Sequence, residues 1–484
     1  MVFSGLPFLY FFLPVLLIAY FAVPRRAKNP VLLLFSLLFY AAGEPVFILV
    51  MLFSCTQAWI TALLMGHPTQ YTNSTVVGLP SCSASENPGM AAPTSGLEKN
   101  RRFWLIVTLI LSLAPLIWFK YAGFFAENLN RIPGVSLSVP RLSLPVGISF
   151  YTFQLIGYSA DVYRGRVPAQ KSWLKLTLYV SLFPQLIAGP IVRYSDVETA
   201  LAHREHSLEG FSRGILRFSV GLGKKVILAN VLGEFTASLG QSMLGMWAYA
   251  VGASLQIYFD FSGYSDMAIG LGQVFGFDFP ENFNYPYISS GIAEFWRRWH
   301  ISLGSWFRDY VYIPMGGNRV SFPRWILNVG VVWLLTGFWH GAEWTFVLWG
   351  VYFAVLLVLE KLCQPVLMKI PAYLRRIPVL FLIMVSFILF DSSGIGDAWR
   401  KVLLLFDFSS PADPVSVYYV RSYALTLAAG MIGATPLPAK LVRTVTDKVS
   451  ALRWVESLAC IGVLLISTAY LVDGSYNPFL YFRF

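Results

Sequence analysis

Runs of Leu, Ile, Val, Phe and Trp long enough to cross a bilayer recur from one end of this chain to the other. A helix needs roughly 20 mostly apolar residues to span a hydrocarbon core of about 30 Å. Candidate spans lie near residues 6–23, 30–42, 45–65, 103–121, 142–163, 174–191, 211–233, 244–272, 325–339, 342–361, 377–391, 421–437 and 455–472. Some are broken by Pro or Gly, as in "LSLPVGISFYTFQ" and "LFPQLIAGPIV". Backbone interrupted at membrane depth is tolerated only where protein buries it or a wet cavity passes it. The expected fold is therefore all-α: a polytopic transmembrane helix bundle of about 11–13 membrane segments, some re-entrant, around a central tunnel. It reads as one integral membrane domain over residues 1–484.

Composition agrees. A chain of 484 residues has room for several soluble domains. Only 13% of these residues are charged and 56% are apolar, whereas soluble domains carry about 25% charged residues. The first run, Leu6 to Val23, has no basic start and no Ala-x-Ala-like cleavage site, so it reads as a span rather than a signal peptide. Arg25, Arg26 and Lys28 follow it. The positive-inside rule then places this loop in the cytosol and the N-terminus outside. The net charge of +11 reads as mostly such topology charge. Nucleic-acid binding would want a basic face on a soluble module, and there is none. Cys55, Cys82, Cys363 and Cys460 are scattered and suggest neither a disulfide framework nor a zinc site.

Two segments are polar. Residues 67–102 are rich in Ser, Thr, Pro, Gly and Asn and read as a flexible loop, placed in the cytosol by Lys99, Arg101 and Arg102. Residues 279–323 mix Trp and Tyr with Arg297, Arg298, Arg308 and Arg319, which suits interfacial or re-entrant helices on the cytosolic side. On one continuous helix Glu294, Arg297 and Arg298 would share a face, as would Trp296 and His300.

Four features bear on chemistry. His340 follows Trp325 by 15 residues, or roughly 23 Å of helix, which carries it past the bilayer midplane. An ionisable residue there is either functional or a neutral imidazole that ties helices together. His300 is the second candidate, or else an interfacial histidine beside Trp296 and Trp299. Two histidines 40 residues apart, with no Cys or carboxylate cluster, are not a metal spacing. Arg297, Arg298, Arg308 and Arg319 suit the phosphates of a ligand such as coenzyme A, or serve as topology charge against anionic lipid. Asp260 and Asp266 stand inside an apolar run and either line a cavity, pair with the arginines, or form a buried structural ion pair.

Several stretches together resemble the membrane-bound O-acyltransferase family, in its bacterial alginate O-acetyltransferase-like branch. They are "SLFPQLIAGPIVRY" (Ser181 to Tyr194), "IYFDFSGYSDMAIGL" (Ile257 to Leu271), "ENFNYPY" (Glu281 to Tyr287), "FWRRWHISLGSWFRDYVYIPMGGNR" (Phe295 to Arg319), "GFWHGAEWTFVLWG" (Gly337 to Gly350) and the tail "SYNPFLYFRF" (Ser475 to Phe484). The resemblance covers most of the chain. It implies a catalytic role for His340 and a second signature position at His300. It further implies a cytosolic acyl thioester donor, usually acetyl-CoA, with no bound cofactor. The acceptor would lie outside, reached through an extracytoplasmic SGNH-hydrolase-like acetyltransferase partner. The setting would be the bacterial cytoplasmic membrane. The long 67–102 loop departs from the family pattern.

On this reading His340 acts as general base toward an acceptor hydroxyl, and Trp339 with its apolar neighbours keeps water from the thioester. His300 orients His340 or bonds the thioester oxygen. Glu343, three residues on, falls roughly on the helical face of His340 and would either tune it or bond to another neighbour. Tyr481, the one hydroxyl in "FLYFRF", is a candidate acyl relay at the outer mouth, or an aromatic-belt anchor. Two other functions fit the same residues: D-alanyl or other acyl transfer from a carrier protein to a teichoic acid, and a transporter with His340 as proton relay. No inverted repeat supports the transporter.

Overall fold

The apolar runs wind as helices close to where their lengths placed them. The structure, a computed structural model, describes residues 2–66, 95–140, 142–187, 189–448 and 453–473. Residues 67–94, Tyr481 and the whole 475–484 tail lie outside them. The described residues are helical with no strand. Five helices among them are long and apolar enough to cross a membrane by themselves: Ile48–Met65 (α1), Glu98–Leu129, Trp344–Leu367, Ala372–Phe390 and Val455–Val472. Other apolar runs are shorter or interrupted, such as Phe8–Ala22 and Ala424–Gly433. The run at 174–191 divides into Trp173–Ser181 and Phe183–Leu186, with Pro184 starting the second piece. Apolar side chains on outer faces, among them Leu348, Val355 and Leu359, are exposed. In a bilayer they meet lipid tails as apolar as themselves.

The polar loop is shorter than its composition suggested. Helix α2, Ser95–Leu116, already includes Lys99, Arg101 and Arg102. Arg101 donates to the carbonyls of Val162 and Tyr163 at the end of α3, Ile148–Tyr163. Pro115 lies inside α2 and removes one i→i−4 bond. The chain then winds as a π-helix over Ile117–Tyr121. Such single wide turns are frequent at functional sites.

Helices α4, Leu208–Gly223, and α5, Met243–Val274, form the closest-packed pair. Gly214 faces Gly270 and Gly221 faces Gly263; a Cβ at Gly214 would lie 2.6 Å from the Gly270 oxygen, and one at Gly221 2.5 Å from the Gly263 oxygen. Small residues in register let the two backbones touch, the usual solution where lipid offers no hydrophobic driving force.

The 279–323 segment is not one interfacial helix. It breaks into α6, Ile292–Arg298, and α7, Ile301–Phe307, followed by a π-turn over Arg308–Tyr312. Trp299 is extended and His300 is left-handed. Trp296 and His300 therefore lie on different elements and not on one helical face. Both Trp299 and His300 are buried inside the bundle.

Helix α8, Phe322–His340, and α9, Trp344–Leu367, make a tight hairpin. Any side chain at Gly337 would strike the Phe346 carbonyl, and one at Gly350 the Trp333 carbonyl. The close approach that Gly337 and Gly341 permit is thus taken up by α9 itself. Glu343 is the exposed residue that precedes α9, two residues beyond the Gly341 cap of α8. The helix ends at His340, so Glu343 does not share its face. Ala372–Phe390 (α10) lays Phe390 against the hairpin.

Candidate active site

His340 is the last residue of α8 and is buried. Its ring stands edge-on to Trp339 (4.9 Å between centroids), Trp349 (5.0 Å) and Phe390 (5.2 Å). Trp339 is shared with the second histidine, at 5.7 Å from the His300 ring. Phe261 of α5 closes the other side of His300 at 4.6 Å. Chain segments 40 residues apart thus meet around one indole.

A helix that ends inside the bundle leaves orphan carbonyls, each costly when unpaired in apolar surroundings. The π-turn after α2 supplies their partners. Lys120 Nζ donates to the carbonyls of Trp339 (2.6 Å) and His340 (3.2 Å), with Ser149 Oγ at 3.5 Å. Tyr121 donates its hydroxyl to the Phe338 carbonyl at 2.6 Å. The sequence reading passed over Lys120, although a lone lysine in an apolar run is the same kind of signal that singled out His340.

Two cavities flank these residues. The larger, about 530 Å³, is lined by Trp325, Val329 and Trp333 in the N-terminal half and middle of α8, and by Arg297, Lys361 and Arg375. The smaller, about 90 Å³, is lined by Lys120, Ser149, Trp339 and His340 at the C-terminal end. Trp296, Trp333, Trp349 and Phe353 stack between them, with Trp296 and Trp333 4.5 Å apart and Trp349 reaching His340. Trp349 thus links the aromatic wall of the larger cavity to the imidazole.

Of the four arginines singled out from sequence, only Arg297 faces the larger cavity. Arg298 is bound to Glu294 at 3.0 Å and to the Asn284 carbonyl. Arg308 is exposed and paired with Asp309 at 2.7 Å. That pair, with Arg193, holds the Asp309 carboxyl below its ordinary range despite partial burial. Arg319 is exposed and lines neither cavity. The sequence reading missed Lys361, whose ammonium lies 3.7 Å over the Trp325 ring, and Arg375. Both sit at the ends of apolar runs, where they resemble topology charge.

Asp260 and Asp266 line neither of these two cavities and form buried ion pairs with other residues. Asp260 binds Lys225 at 2.5 Å with both side chains almost fully buried. Asp266 takes Arg217 and Lys224, each at 2.6 Å. The π-turn that starts at Lys224 follows α4 directly, so consecutive lysines reach carboxylates six residues apart on α5.

Helices long and apolar enough to cross a membrane, with a buried histidine in a cavity wall, fit a multi-pass membrane protein. The membrane-bound O-acyltransferase family model matches residues 168–390. The chain is similar to a probable alginate O-acetylase of Pseudomonas putida, 35% identical over all of both chains. It is also similar to one of Azotobacter vinelandii, 38% identical over 84% of this chain and 78% of that one. A peptidoglycan O-acetyltransferase of Helicobacter pylori is 34% identical over 73% and 69%. The chain belongs to the membrane-bound O-acyltransferase family, and it is an O-acyltransferase.

Proposed function

We propose that the protein takes an acetyl group from cytosolic acetyl-CoA and passes it across the bacterial cytoplasmic membrane, where an SGNH-hydrolase-like partner delivers it to a hydroxyl of an exopolysaccharide or cell-wall glycan. The relatives' names, alginate O-acetylase and peptidoglycan O-acetyltransferase, support a glycan as the final acceptor. The observation that carries the reading is the buried His340 in the wall of the smaller cavity, joined through Trp349 to Trp333 of the larger one, with the buried His300 across Trp339.

The larger cavity suits the donor. Its cations Arg297, Lys361 and Arg375 outnumber the carboxylates Glu294 and Glu360 in the same wall and suit a diphosphate, and its aromatic side chains Trp325 and Trp333 suit the pantetheine arm. The acceptor hydroxyl enters by the smaller cavity. Its oxygen adds to the thioester carbonyl carbon while His340 takes the hydroxyl proton. Collapse breaks the C–S bond, and His340 returns the proton to the leaving thiolate, giving an acetyl ester and free coenzyme A. Tyr481 is kept as the acyl relay toward the partner; export of acetyl groups at the wild-type rate by Tyr481→Phe would exclude it.

The test is radiolabelled acetyl-CoA supplied to purified protein in vesicles. Label should pass to acceptor or be slowly hydrolysed, and both should vanish in His340→Gln, which keeps the size but not the base. Solute flux without thioester loss would instead support a transporter.

A further inference from the structure

We infer that Asn282 is a positioning residue that holds His300 in the Nδ1–H tautomer, so that Nε2 presents a lone pair to the site. The inference deepens the acyl-transfer reading and rests on it for its effect on rate, although not for the tautomer itself.

Asn282 is fully buried. Its Oδ1 accepts the Ser302 backbone N–H at 3.2 Å and the Ser302 hydroxyl at 2.8 Å. A backbone N–H can only donate, so the oxygen of the amide, not its nitrogen, faces this corner. His300 Nδ1 lies 3.2 Å from the same oxygen. Against an acceptor, that nitrogen must carry the hydrogen. A neutral imidazole has one N–H, so Nε2 is left bare. Nε2 is buried and meets no hydrogen-bond partner among the described residues. An unpaired buried polar atom is costly, and a costly atom in a native fold asks for a reason.

The backbone is arranged to the same end. His300 has φ +45° and Tyr285 φ +46°, the two non-glycine residues with positive φ among those described. Left-handed backbone at a non-glycine residue is strained, and such strain collects at functional sites. Two backbone bonds hold the segments together: Ile301 N–H to the Asn282 carbonyl at 3.0 Å and Asn284 N–H to the Arg298 carbonyl at 2.9 Å. Glu281 is clamped in turn by Arg217, which is anchored on Asp266 of α5. The "ENFN" segment is thus a rigid template for the imidazole.

The chemical consequence is specific. A neutral His300 with a bare Nε2 accepts hydrogen bonds toward the site and cannot donate one to the thioester oxygen. Of the two roles expected from sequence, stabilising the oxyanion is removed. What remains is the other role expected from sequence, orienting His340, with Nε2 as a hydrogen-bond acceptor.

Ring-nitrogen NMR of the full-length protein in lipid, labelled with isotopic histidine, reads the tautomer directly. The chain has five histidines, and the difference from His300→Gln assigns the signal. We expect Nδ1–H in the wild type. Asn282→Leu should shift His300 to Nε2–H or a mixture, and acetyl transfer should fall about 10²-fold. Asn282→Asp keeps the accepting oxygen and should keep both the Nδ1–H signal and a rate within about tenfold of wild type. An Nε2–H signal in the wild type overturns the inference, as does Asn282→Leu with unchanged tautomer and rate. If Asn282→Leu does not fold, the spectra of wild type and Asn282→Asp still decide. A wild-type Nδ1–H signal in a protein that transfers no acetyl group would leave the tautomer standing and sink the acyl-transfer reading.

Discussion

Lys120→Met removes the amine that closes the end of α8 and leaves a chain of nearly the same length in its place. Three bonds are lost, to the Trp339 carbonyl at 2.6 Å, the His340 carbonyl at 3.2 Å and Ser149 Oγ at 3.5 Å. A hydrogen bond is worth about 0.5–1.5 kcal/mol, and a buried acceptor left unpaired costs about 1–3 kcal/mol. The carbonyls belong to His340 and its neighbour, so the cost falls on the order of the last helical turn. Taking about 2–4 kcal/mol for the pair, the population with His340 correctly placed drops roughly 30- to 1,000-fold, at about 1.4 kcal/mol per factor of ten. The loss should appear in kcat. The larger cavity, proposed to take the donor, lies against the N-terminal half and middle of α8, and its nearest α8 residue, Trp333, is roughly 10 Å along the helix from His340. KM for acetyl-CoA should therefore hold within about threefold while kcat collapses. The assay is steady-state transfer of label from acetyl-CoA in vesicles, with size-exclusion profile and thermal midpoint as controls for folding. Wild-type kcat in Lys120→Met would refute the cap. A rise in KM alone would make Lys120 a group that touches the donor.

Other outcomes follow from the same geometry. Tyr121→Phe removes one neutral bond to the Phe338 carbonyl and should lower kcat about fivefold, at roughly 1 kcal/mol. Arg297→Ala, Lys361→Ala and Arg375→Ala should each raise KM for acetyl-CoA about tenfold, with little change for a short acetyl thioester that lacks phosphates. Arg319→Ala should change neither. Asp260→Leu strands a buried lysine and should cost about 3–5 kcal/mol, while Lys225→Met with Asp260→Leu should recover most of it; equal losses would show that the pair does not act as a unit. Asp413 accepts from Ser242 Oγ and from the Ser416 hydroxyl and N–H, and these bonds hold its carboxyl down to about 2. A depressed carboxyl contributes stability that is present above about pH 4 and lost as pH falls through about 2. Asp413→Asn should abolish that part of the acid dependence in thermal melts.

Much of the architecture was legible because membrane helices carry their own evidence. A helix in lipid satisfies its backbone internally and is long and apolar whatever it packs against. The runs at 45–65, 244–272, 325–339 and 342–361 therefore fell close to α1, α5, α8 and α9. The same rule drew His340 out as an ionisable side chain at depth, either functional or tying helices, and the family resemblance pointed to the first. Helix breaks were harder. His300 looked like the next turn after Trp296, since an α-helical period fits both; the left-handed residue that separates them comes from tertiary bonds to the 281–284 segment. Glu343 was misplaced for the same reason, because the cap at Gly341 that ends the helix is set by the tight packing of Phe346 against it.

By itself, the sequence determined that this is a multi-pass helical membrane protein, which runs form its helices, and which histidine stands at depth. These depend on local composition and length, which one chain segment holds alone. Tertiary structure decided which charges meet. Arg297 faces the larger cavity and Arg298 is taken by Glu294, although the two are neighbours in sequence. Lys120 reached the end of α8 from about 220 residues away, and Asn282 turned the His300 ring to one tautomer. Charge and hydrogen bonding act over a few ångströms of space, so partners are fixed by the packing of helices that no single stretch of sequence describes.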